Sequence, residues 1–183
     1  MAAGYGFIDY SPDTRYGSSE GSAQSACYAA RFTCGGTGAQ NISEIGLYGY
    51  SNYTINVHMG IFEDDAGNTC PDTLVANSDS GAIAAPAAMA KMNKIYDPQP
   101  QVTGGGVYWL AVGLANQNTQ VSREADGLGT AIYKASVTYP NWPTADAWHT
   151  HTDTTNTYST YAVYAAAGGG LSIPIAMYHY VHH

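Results

Sequence analysis

The stretch Thr54-Ile-Asn-Val-His-Met-Gly-Ile-Phe62 decides the fold. Ile55, Val57, Met59 and Ile61 alternate with Asn56, His58 and Gly60, the period-two pattern of a strand with one face on a core and one face outward. The two-residue spacing runs unbroken from Ile55 to Ile61, whereas a 3.6-residue helical period would carry alternate positions around to opposite faces. On its C-terminal side Asp64-Asp65-Ala66-Gly67-Asn68 is turn chemistry, so the strand opens a hairpin.

Working outward, the same punctuation recurs every 8 to 12 positions, with short β-branched and aromatic runs between turn residues. Cys27 to Thr33 reads as a strand with Tyr28, Ala30 and Phe32 on one face. In Ile42 to Tyr50 the residues Ile45 and Leu47 share a face and Ile42 falls out of phase, which a bulge near Ser43-Glu44 would reconcile. Leu74 to Asn77, Met89 to Tyr96, Ala131 to Tyr139, Tyr158 to Ala166 and Ile173 to Val181 supply further strands. Val107 to Leu114 is apolar on both faces, as a central strand covered on each side should be. The best helical stretch, Ala82 to Met92, is short and broken by Pro86. These elements predict an all-β chain folded as a two-sheet antiparallel sandwich, jelly-roll-like. Residues 1–25, rich in Gly, Ser, Tyr and Asp, read as an irregular arm or edge segment that must dock on its own sandwich or on another subunit, the latter being expected, and residues 26–183 as a single sandwich domain.

Composition sets the outer bounds. The chain has 183 residues, 45% hydrophobic, which excludes a disordered chain and suits one domain. The 21 glycines carry no Gly-X-Y period, which excludes collagen. Only 11% of residues are charged, so the polar surface must be mostly hydroxyl, amide and glycine. Net charge is −8 and the six basic residues are scattered, which argues against nucleic acid and anionic membranes, both of which need clustered positive charge. The N-terminus lacks the basic and apolar runs of a signal peptide, and no stretch reaches the length of an apolar membrane span. The sequence as given therefore reads as a mature fragment or as a protein made and assembled in the cytoplasm.

Cys27, Cys34 and Cys70 cannot all pair within one chain. On one extended strand Cys27 and Cys34 would lie roughly 23 Å apart, beyond disulfide reach. Cys34 and Cys70 fall at expected loop edges where a bridge is conceivable; the plainer reading leaves all three reduced and at least partly buried.

The segments Asn41-Ile-Ser-Glu-Ile-Gly-Leu-Tyr48 and Val57-His-Met-Gly-Ile-Phe62, the hairpin from Asp64 to Ala76, and Gly106-Val-Tyr-Trp-Leu-Ala111 together resemble the choice-of-anchor or carbohydrate-binding-like β-sandwich modules of bacterial surface proteins and phage virion proteins. The resemblance spans residues 41–112. It implies a sandwich fold that hosts binding, capping or structural roles, and it brings no catalytic residues.

Three constellations carry candidate chemistry. Glu63, Asp64 and Asp65 before Gly67-Asn68 gather oxygens of the kind Ca²⁺ takes, without EF-hand spacing; the alternative is a plain hairpin turn. Trp148-His149-Thr150-His151 sets two imidazoles on one face of an extended segment, where Asp146 or Asp153 would complete a Zn²⁺ site, with His179, His182 and His183 near the end; a solvated loop is the alternative. Trp142, Trp148, Tyr50 and Tyr53 lie at expected loops and strand ends, where flat rings stack on sugars or on a neighbouring protein, or else plug the end of the sandwich. Trp109 and Tyr108 read as core. No nucleophile elbow or phosphate loop is present, so the chain reads as a non-enzyme.

Two functions follow as expectations. The first is a virion structural subunit (capsid decoration, tail or appendage) that assembles through protein–protein contacts as a homo-oligomer. The second is a secreted or cell-surface module that binds glycans through its loop Trp and Tyr. Neither needs a cofactor.

Overall fold

The computed structural model describes residues 6–8, 18–21, 25–67, 69–115, 118–124, 131–154 and 157–166. The expected strand Ile173 to Val181 and the histidines His179, His182 and His183 lie outside these residues. The chain is an all-β sandwich of two packed sheets. Its described helical content is a single turn, α1, Ala145–Trp148.

The second sheet is built on Val107–Leu114 (β10), flanked by Ala26–Thr33 (β3) and Asn56–Asp64 (β5), both antiparallel to it. Ala131–Ala135 (β12) and Thr152–Thr154 (β13) extend it beyond β3; Pro71–Leu74 (β6) and Ile83–Ala84 (β7) extend it beyond β5. The expected two-sided burial of β10 is observed, from Trp109 to Leu114.

The first sheet is organised by the 14-residue strand Gly38–Ser51 (β4). Tyr161–Ala166 (β15) and Thr119–Glu124 (β11) pair along it, as do Ala90–Ile95 (β8) and Gln101–Gly104 (β9), while Thr157–Tyr158 (β14) pairs with β11. The register between β4 and β15 passes from Glu44 opposite Val163 to Ile42 opposite Tyr164, which leaves Ser43 as the extra residue of a bulge. That bulge returns Ile42 to the face of Ile45 and Leu47, and all three are buried in one cluster. It falls where the phase break in the sequence requires it.

Two pieces of the expected irregular arm are regular. Gly6–Ile8 (β1) pairs parallel with β15, and Ser18–Gly21 (β2) pairs antiparallel with β11. These pieces pair with the chain's own sheet, where open backbone groups on β15 and β11 accept them, as an edge segment would. The other residues of 1–24 lie outside the described set.

The main core fills the space between the sheets. Val57, Met59, Ile61, Leu110, Val112 and Leu114 meet Ile42, Ile45, Leu47, Met92 and Val121 there, all fully or nearly fully buried. Tyr28 of β3 meets Tyr158 of β14 edge-on at 5.2 Å, an aromatic tie between the layers. Ile55 and Tyr108, both expected in this core, are only half-buried.

Candidate functional site

The outer face of the second sheet departs most from the sequence reading. Half-burial of β5 implies that Asn56, His58 and Gly60 face water, yet His58 is only 2% exposed, and Phe62, next along the same face, is buried as well. A second apolar cluster covers this face, made of Cys27, Ala29, Phe62, Cys70, Trp109, Ala111, Ile132 and Trp148, with Leu74, Val137 and Trp142 against it. The cover is the segment of residues 136–151 between β12 and β13, which crosses the sheet and carries α1.

Small residues on the strands make room for it. Gly60 sits opposite Ala111 and Gly113 opposite His58 across the β5–β10 ladder. A Cβ on Gly113 would lie 1.7 Å from Nε2 of His58, and one on Gly60 would lie 3.0 Å from the Trp142 ring. The imidazole therefore lies over Gly113, and the Trp142 indole stacks on it with centroids 3.9 Å apart and planes 14° from parallel. Trp142 Nε1 donates to Asp79 Oδ2 at 3.1 Å. His58 Nε2 is buried with no hydrogen-bond partner among the described residues, and burial lowers the His58 pKa to about 4 even though Asp79 pulls it upward. Trp148 is 0% exposed and meets Phe62 edge-on at 6.0 Å.

The predicted aromatic site is therefore not assembled as a sugar platform. Trp148 has no free face, Trp142 spends one face on His58, and these two rings are packing elements of the outer layer. Tyr50 is half-buried and donates to Gln120 Oε1 at 2.9 Å; Tyr53 alone of the four is well exposed, at 62%.

The acidic constellation is divided between internal tasks. Glu63 is exposed. Asp64 accepts from Arg31 Nη2 at 2.6 Å, from Arg31 Nε at 3.1 Å and from Trp109 Nε1 at 2.8 Å, tying β3 and β10 to β5. Asp65 accepts from the backbone N–H of Thr69, Cys70 and Gly67, at 2.6, 3.1 and 3.2 Å. Desolvation raises the Asp65 carboxyl, but these hydrogen bonds outweigh it and hold the group below the usual carboxylate range. Glu63, Asp64 and Asp65 thus do not converge as a Ca²⁺ cage: the turn reading holds for Asp65, and Asp64 is a structural ion-pair partner.

The imidazole pair also separates. His151 Nδ1 lies 2.7 Å from the carbonyl of Trp148, folded back on its own turn. His149 brings Nδ1 to 3.6 Å from Sγ of Cys70, across 79 positions of sequence. Asp146 is exposed in the first turn of α1, whose N-cap is the Thr144 hydroxyl; Asp153 lies on β13. Sequence reasoning found His149 and missed its partners, Cys70 and Asp65, whose ligand atoms lie with it inside 4.8 Å. All three cysteines are free and buried. Burial pushes Cys27 up to about 12 and Cys34 to about 11, and it raises Cys70 with help from the carboxylate of Asp65.

No protein family, curated protein or solved structure matches the chain.

Proposed function

We propose that this protein is a non-enzymatic interaction subunit that assembles through protein–protein contacts, first with copies of itself. The observation that supports this reading best is the edge strand β8. Among the described residues it pairs with β4 alone, and its outer end exposes Asn93, Lys94 and Ile95, the last at 71%. A strand with one open ladder edge and an exposed large apolar side chain is a template for strand addition.

Within this class we place the chain as a virion subunit (decoration, tail or appendage protein), on the resemblance over residues 41–112. Capsid, portal or tail genes beside its gene favour that placement; glycosidase or anchor domains favour the surface module. Association is tested by light scattering over a concentration series, comparing the parent with Ile95→Asp. Concentration-dependent oligomers lost in the variant support the reading, and a parent that stays monomeric throughout refutes self-assembly through this edge.

A further inference from the structure

The geometry points to a zinc site formed by Asp65, Cys70 and His149, with water in the fourth position. The three ligands come from two places in the fold: Asp65 and Cys70 from the turn between β5 and β6, and His149 from the residue that caps α1. Two donors on one tetrahedral Zn²⁺, with Zn–S of about 2.3 Å and Zn–N of about 2.0–2.1 Å, stand about 3.5–3.6 Å apart. Cys70 Sγ and His149 Nδ1 are 3.6 Å apart, and an oxygen of Asp65 lies within 4.8 Å of both.

The surroundings suit a cation. Asp65 is oriented by N–H donors from Gly67, Thr69 and Cys70, the outer-shell support that fixes a carboxylate ligand in place. Asp64 and Asp72 add negative charge near the thiol. Binding releases the Cys70 proton to solvent and leaves one thiolate, one carboxylate and one neutral imidazole, so that the two anionic ligands neutralise the ion. The mix of sulfur, nitrogen and oxygen donors favours Zn²⁺ over Ca²⁺ or Mg²⁺, which take oxygen. Cys70 is wholly buried while His149 is exposed, so the open coordination position faces water on the His149 side. Bound there, the ion would pin the 136–151 segment to the β5–β6 turn.

The test loads the full chain with Co²⁺ as a spectroscopic substitute for Zn²⁺, then displaces it with Zn²⁺. The expected result is a thiolate-to-cobalt charge-transfer band that saturates at one ion per chain, together with a melting temperature that rises with Zn²⁺ concentration. His149 is exposed, so His149→Ala leaves the fold intact and should weaken binding by at least about 10–100-fold. Cys70→Ser should abolish the charge-transfer band. Cobalt binding without a thiolate band means that imidazoles elsewhere hold the ion, and it overturns the site. So does unchanged affinity in His149→Ala, or no binding by the parent, which would leave the Cys70–His149 contact as a hydrogen bond only.

Discussion

Acid should destabilise this protein through one buried imidazole. His58 lies between Gly113 and the Trp142 ring, only 2% exposed and without an acceptor at Nε2 among the described residues, so its protonated form is poorly solvated there. Asp79 offers partial compensation, and Tyr139, edge-on at 5.0 Å, is a neutral neighbour. The folded-state pKa is about 4, against 6.5 for the free side chain. Between these values the unfolded chain binds the proton and the folded chain does not, so stability falls as pH falls. The contribution is fully present above pH 6.5 and is lost progressively down to about pH 4. At about 1.4 kcal/mol for each tenfold difference in proton affinity, the loss is about 3 kcal/mol. Urea unfolding at a series of pH values measures it. His58→Phe keeps a flat ring on Trp142 and cannot take a proton, so its profile should be shallower than the parent's by that amount, with the exposed histidines cancelling in the comparison. Asp65, held low, loses its contribution only below the ordinary carboxylate range, under this window. Equal slopes for the parent and His58→Phe between pH 6.5 and 4 would refute the assignment.

Other outcomes follow from the same packing. Gly113→Ala should destabilise the fold by about 1–3 kcal/mol because its methyl meets the imidazole, and the cost should shrink in Gly113→Ala/His58→Ala, read by a double-mutant cycle in urea. Trp148→Ala should cost on the order of 3–5 kcal/mol in a chemical melt, and Tyr53→Ala almost nothing, since the first ring fills the outer layer and the second stands in solvent. Ile61→Ala, at 0% exposure between the sheets, should cost about 2–4 kcal/mol by denaturant titration.

What the sequence determined by itself is what repeats locally along the chain. Alternation over Ile55 to Ile61 set a strand and its inner face, unbroken apolar residues in Val107 to Leu114 set the centre of a sheet, and the misplaced phase of Ile42 located a bulge within a residue. Each follows from the two-residue period of the strand, which any single segment carries without help from the rest. Tertiary structure alone decided what covers the outward face of that sheet. Asn56, His58 and Gly60 read as solvent-facing because polarity was the only signal available, yet His58 is buried under Trp142, supplied 84 residues later by a segment with no periodicity of its own. The same closure brings Cys70 to His149, hides Trp148, and turns Asp64 toward Arg31 and Trp109 instead of toward a cation. These contacts depend on which distant loop closes over which face, a choice made by packing and hydrogen-bond satisfaction across the whole molecule, and no local period records it.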